Sequence, residues 1–279
     1  VHLADTERVP TAVDVLQSAA FGANPGLWPL PSAHDPTSTW LRAIALGGQG
    51  RYALGRAELD TLENALPAGH TVLSLAGSTR ASWSRQIGDH RTAERFDGLA
   101  IALVGVTGGV ECPLLVEARC DALTGLAADA LGSGRFALSS AFLDRCGRTL
   151  AQYPSWDLWR PQLRLRWVMA ELAMFSGDGP AAVRHALDAR ERATDIVSLR
   201  HRVKTDLIVA AAYSSVGDLD GARALAYSVL DACSELGLLP LRWASAMLAH
   251  GIGEGGAAEK VVAESAALLG LRGGDVIAV

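Results

Sequence analysis

The stretch AAAYSSVGDLDGARALAYSVL, running from Ala210 to Leu230, decides how this chain is read. Ala210 is followed seven residues later by Gly217 and twelve residues later by Ala222. Seven residues are about two helical turns, and glycine is the residue that most readily takes the left-handed backbone that stops a helix. The stretch therefore predicts a helix, a stop, and a second helix folded back on the first. The same spacing recurs at Ala43/Gly50/Gly55, Ala81/Gly88/Ala93, Ala127/Gly134/Ser139, Ala170/Gly177/Ala182 and Ala246/Gly253/Ala258. Small residues at both ends of the pattern let paired helices approach closely, and a hairpin with one apolar face needs a stacked neighbour to bury it. The expectation is an all-α array.

From Thr39 onward the array resembles the tetratricopeptide repeat (TPR) family, whose pattern is W-x2-L-G-x2-Y, then A, x3-F and a late proline over 34 residues. The small residue of that pattern is Ala43, Ala81, Ala127, Ala170, Ala210 and Ala246, and the tyrosine position holds Leu46, Ser84, Ala130, Ala173, Tyr213 and Ala249. Pro67 closes the first copy, and QIGDHRTAERFDGLAIAL (Gln86 to Leu103) and SVGDLDGARALAYSVL (Ser215 to Leu230) are similar to family segments. The resemblance implies a right-handed α-solenoid of about six antiparallel helical hairpins. Spacings between the turn glycines run from 36 to 46 residues, longer than the family's repeat, and lengths near 40 also suit HEAT or armadillo solenoids. Residues 1–38, with Pro10, Pro25, Pro29, Pro31 and Pro36, read as an N-terminal arm or cap with one short helix near Thr11 to Ala20. Its Phe21, Leu27, Trp28 and Leu30 are expected along the first hairpin. The solenoid covers residues 39–270, and residues 271–279 form a tail that could add to a partner as a strand.

Hydrophobic residues make up 49% of the 279 residues and mean hydropathy is +0.20, enough for a long core, while the longest apolar run is too short to span a bilayer. A net charge of −5 gives no electrostatic argument for nucleic acid or acidic membranes. Cys112, Cys120, Cys146 and Cys233 show neither C-x-x-C nor metal-type spacing with histidine, which suits a reducing compartment. The opening VHLADTERVP lacks the sections of a secretory signal, so a cytoplasmic location is expected. The Ala/Gly/Arg bias, with only two lysines, points to a high-GC genome and a bacterial source.

In the family the first helix of each pair lines a concave groove. The resemblance then implies partner-binding positions at Arg164, Trp167, Glu171, Met174 and Phe175 in the fourth copy. The fifth offers Lys204, Leu207, Ala211, Ser214 and Ser215, and the second Leu75, Ser78, Ser82, Arg85 and Gln86. Trp40, Trp167 and Trp243 share one position of the repeat, where they are either groove anchors or core packing. The same two alternatives, contact or seam cover, hold for Trp156 and Trp159 in the proline-bounded stretch from Tyr153 to Pro161. Arg200, Arg202 and Lys204 with His201 form a basic cluster that reads either as a solvated face or as a carboxylate clamp.

Chemistry has few candidates. The glycine motifs at Gly48-x-Gly50-x-x-Ala53 and Gly251 to Gly256 sit at hairpin turns, not between a strand and a helix as a dinucleotide site requires. G-K-[ST], G-x-S-x-G and H-E-x-x-H are absent. His90 and Glu94 stand one turn apart as an ordinary helix-surface pair, and Cys112 before Pro113 is the thiol with most scope for exposure. The expectation is therefore a non-catalytic scaffold or regulatory adaptor that binds a peptide or protein in its concave groove, through Arg85, Gln86, Arg164, Trp167, Glu171 and Lys204. It needs no cofactor or metal and takes no nucleic acid or membrane, while homodimerisation stays open. The alternative is a small-molecule-sensing module with an apolar pocket between the arm and the groove near Trp40 and Trp167. A tight cluster of histidine and carboxylates in a cleft would favour an enzyme instead.

Overall fold

A computed structural model describes residues 9–108, 111–253 and 255–274, and within them the chain is an all-α solenoid of thirteen helices. Helix α1 (Ala12–Phe21) precedes six hairpins: α2 (Pro36–Gly48) with α3 (Tyr52–Ala65), α4 (Thr71–Gln86) with α5 (His90–Val104), α6 (Pro113–Gly132) with α7 (Phe136–Ala151), α8 (Trp159–Phe175) with α9 (Gly179–Ala193), α10 (Leu199–Ser215) with α11 (Leu219–Glu235), and α12 (Leu239–Gly251) with α13 (Ala257–Leu271).

All six repeats follow the spacing read from the sequence. The turn glycines Gly50, Gly88, Gly134, Gly177, Gly217 and Gly253 all have φ between 71° and 93°. The six alanines that open the pattern are fully buried. At Gly217 the chain reverses through a pair of bonds, Gly217 N–H to the Ser214 carbonyl and Asp218 N–H to the Tyr213 carbonyl, which occupy the last free acceptors of α10. The Asp218 carboxylate then accepts from Gly221 N–H and caps α11. Asp89 and Asp178 cap α5 and α9 in the same way, through Thr92 and Ala181 N–H. The Gly-Asp pair is thus a stop signal followed directly by a start signal, which explains why these copies stand out in the sequence.

First helices pack on one another in order, α4 on α6, α6 on α8, α8 on α10 and α10 on α12. Each second helix from α5 to α11 packs on the two first helices that flank it. The first helices therefore form the inner, concave layer. The residues beyond 34 per repeat lie in longer helices and in connections. Arg119 organises the connection ahead of α6, donating to the carbonyls of Val104, Gly105 and Gly108 and pairing with Glu111 at 3.0 Å. Between α7 and α8, Tyr153 stacks on Trp156 at 4.3 Å and both pack against the core beneath with Leu158, so these rings cover the seam between hairpins.

The N-terminal part departs from a plain arm. Helices α1, α2 and α3 share one core with Val72, Leu75 and Ala76 of α4, Ala118 of α6, Leu239 and Trp243 of α12 and Leu269 of α13. Trp40 lies 5.6 Å from the Arg160 guanidinium of α8, Gly48 lies against Arg200 of α10, and Gly50 lies against Leu239 and Leu269. Beyond the adjacent α4, these inner-helix residues, Ala118, Arg160, Arg200, Leu239 and Trp243, belong to N-terminal halves. The first hairpin, with α1 behind it, is a plug across one mouth of the concave channel. Arg272 fastens it, donating to the Gln49 carbonyl at 2.7 Å and accepting from Ala53 N–H, while Arg56 donates to the Gly273 carbonyl. Of the expected tail, residues 275–279 lie outside the described residues.

Candidate functional site

The opposite half of the concave face is open. Its floor is α10 and its walls are α8 and α12, enclosing about 470 Å3. Lys204 and Glu171 mark the inner end, with Nζ 3.7 Å from the carboxylate and each side chain about three-tenths exposed. Leu207, Ile208, Met174 and Leu248 form the apolar centre. Ala211 and Ala244 leave the floor and one wall shallow, and Phe175, 66% exposed, stands at the lip. Ser214 and Ser215 close the outer end, but their hydroxyls donate to the Ala211 and Ala212 carbonyls of their own helix.

Of the residues expected to bind a partner, Glu171 and Lys204 come together here, and Met174, Phe175, Leu207, Ala211, Ser214 and Ser215 join them. The others lie elsewhere. Trp167 is 9% exposed and packs in the core of the fourth hairpin, its indole N–H donating to Thr205 at 2.9 Å. Trp40, 3% exposed, donates likewise to Thr79, and Trp243 is also buried. At Trp40 and Trp167 this repeat position faces the seam with the next inner helix, where a flat ring fills the gap and its N–H finds a hydroxyl, whereas Trp243 packs in the core shared with the first hairpin and its N–H has no partner among the described residues. Ile208, Ala244 and Leu248 were missed, because they sit one residue off the positions expected to face the groove.

Arg164 pairs with Asp121, and Arg160 binds the Asp121 and Glu117 carboxylates at 2.6 Å each. Arg200, the remaining cation of this group, has no carboxylate within ion-pair distance among the described residues. Its guanidinium donates to the Ala20 carbonyl at 3.2 Å, and its stem lies against Gly48. The C-terminal ends of α1 and α2 thus converge on Arg200, and their partial negative charge stands where an acid would. Burial, with Arg160 and Arg164 nearby, holds its pKa down to about 10. His201 is sandwiched by Trp167 at 5.7 Å and Trp159 at 5.0 Å, with Phe21 at 5.8 Å, and bonds Ser198 at 2.7 Å. Burial first, then Arg200, Arg160 and Arg164, keep its pKa well below the usual histidine range, so the ring is neutral. Of the basic run, His201 is buried, Arg200 is half-buried and Arg202 is exposed. Phe21 lies between Trp40 at 5.6 Å and Trp159 at 6.4 Å.

A second ionic cluster was not foreseen. Arg85 donates to Asp97 at 2.5 Å and to Asp129 at 3.1 Å, both carboxylates being fully buried, and His90 lies 3.7 Å from Asp129. Gly125 and Gly132, one heptad apart on α6, make the room, because a Cβ at either would collide with Asp97 or His90. Burial pushes the Asp97 pKa up to about 6 against the pull of Arg85. The carboxylates have no solvent access and face the guanidinium, an arrangement that ties α4, α5 and α6 together and leaves no opening for a substrate. Gln86 is exposed at the end of α4 and accepts a hydrogen bond from the Tyr52 hydroxyl at 2.6 Å, on the plug side. Among the described residues no cluster of His, Cys, Asp and Glu has the arrangement of a metal site, and no helix is long and apolar enough to cross a membrane. Cys120, Cys146 and Cys233 are buried free thiols, and Cys112 is exposed at the start of α6.

No known family model matches this chain, and no curated protein matches it significantly. The fold and the groove geometry are what bear on function.

Proposed function

We propose that this protein is a non-catalytic interaction scaffold of the tetratricopeptide-repeat kind, holding a segment of a partner protein in the open half of its concave face. The observation that carries the reading is the groove itself: an apolar centre 470 Å3 in volume, with an exposed Phe175 at its lip and a loose Lys204–Glu171 pair at its inner end. Exposed aromatic and aliphatic surface rimmed by polar groups is what a binding site retains at the expense of solubility. The turn geometry and the layer order agree with the family's pattern. No chemical step is assigned. The setting we propose is cytoplasmic, where the three buried thiols stay reduced.

The test is quantitative affinity capture with the full chain, comparing wild type with Phe175→Ser and Lys204→Glu. Both positions are solvent-exposed enough to change without opening the core. A partner set retained by wild type and lost from both variants is the expected result. Equal recovery by all three proteins would remove the groove as the binding surface.

A further inference from the structure

The groove is built for one kind of occupant. Its lining backbone belongs to α8, α10 and α12, whose amides and carbonyls are engaged within the helices. The two serines spend their donors on their own helix and keep only acceptor oxygens at the outer end, while Lys204 and Glu171 lie at the inner end, so the apolar centre between them offers no hydrogen-bonding side chain. An extended segment laid from Lys204 to Ser215 would bury its own N–H and C=O groups over Leu207, Ile208 and Met174 with no partner there, and an unpaired buried polar group is costly. A helix carries its backbone bonds with it. Ala211 and Ala244 let such a helix come close, as small residues do where helices pack. The other half of the same concave face already takes helices: α1 packs on α10 there, and α2 shares its core with α6 and α12.

We infer that the partner segment is an amphipathic α-helix of about three turns, matching the roughly 17 Å of α10 between Lys204 and Ser215. Its apolar residues recur at i, i+3 or i+4 and i+7 and seat on Leu207, Ile208, Met174 and Leu248, with Phe175 folding against its side. Its polar end meets Lys204 and Glu171. This inference rests on the scaffold reading above and specifies the conformation of what that scaffold binds.

The experiment is selection of a displayed library of random 16-residue peptides on the full chain. Binders are then measured against wild type, against Ala211→Arg, which fills the groove from a partly exposed floor position, and against Phe175→Ser. Thermal melts establish that both variants stay folded. Groove-dependent binders with an apolar period of three to four support the inference. So does a central proline that weakens binding by about tenfold or more while a side-chain staple on the polar face preserves it. Groove-dependent binders with period-two or proline-rich sequences, tolerant of a central proline within about twofold, would overturn the helical occupant and leave the scaffold reading standing. Binders indifferent to both variants, or a selection with none, would overturn the two together.

Discussion

Glycines in this chain serve two physical purposes, and substitution separates them. At Gly217 φ is 80° and a Cβ would meet open space, so Gly217→Ala costs only the left-handed backbone, about 1 kcal/mol. At Gly47 the backbone is helical, but a Cβ would enter the indole of Trp83, which also lies under Gly55. Gly47→Ala is expected to cost about 1–3 kcal/mol through overpacking, more than Gly217→Ala, in urea unfolding of the two variants. The sequence announced the first kind, because the turn glycines recur in register. It was silent on the second, since the indole that fills the notch comes from another hairpin.

Buried ion pairs couple neighbouring elements, and pH reads their balance. Asp97 has its pKa raised from the ordinary 3.8 to about 6, so the folded state holds this proton more tightly than the unfolded chain. Its contribution to stability is full below about pH 4 and is lost as pH rises through 6. In Asp97→Asn that part of the pH dependence should vanish, giving a flatter stability profile between pH 4 and 6 than wild type in denaturant titrations. Replacing Arg85 with Met strands two buried carboxylates and should cost about 3–5 kcal/mol at pH 8, with part of the loss recovered by pH 5 as Asp97 takes up a proton. An unchanged deficit across that range would contradict the pairing. Arg160 and Arg200 make a similar contrast. Arg160→Met abandons Glu117 and leaves Asp121 with Arg164 alone, whereas Arg200→Met abandons only a carbonyl and two helix ends, so the former should be the more damaging in the same titration. Helix positions and their register were legible in the sequence, but these partnerships were not, because Arg85 meets Asp129 across 44 residues and nothing local marks the pair.

At the scale of the molecule, the first hairpin does not continue the groove but closes one end of it. The wedge is Phe21 between Trp40, Trp159 and His201, and the tie is Arg272 on Gln49. Phe21→Ala should lower stability by about 2–4 kcal/mol and open the aromatic cluster to quenchers of tryptophan fluorescence. The groove at Lys204 and Phe175 lies beyond the other halves of the same helices, and peptide binding there should survive the substitution at temperatures where the variant is folded. Arg272→Ala removes the side-chain bond to the Gln49 carbonyl and keeps the backbone carbonyl that accepts from Ala53 N–H; it should leave most of the solenoid protected while the loosened tie speeds amide exchange around Ala53, which hydrogen exchange resolves residue by residue.

What the sequence by itself determined is every element that rests on local physics. The turn glycines, the capping aspartates and the buried small residues act within a dozen residues, so a one-dimensional pattern contains them in full. Tertiary structure decided which surface each helix spends on its neighbours. Three tryptophans at one repeat position went to the interior, Arg85 and Arg164 went to buried carboxylates, and the plug took part of the concave face. A side chain chooses between groove and interior according to the rotation of adjacent helices and the approach of a distant segment. Neither is encoded in the spacing that makes the hairpin.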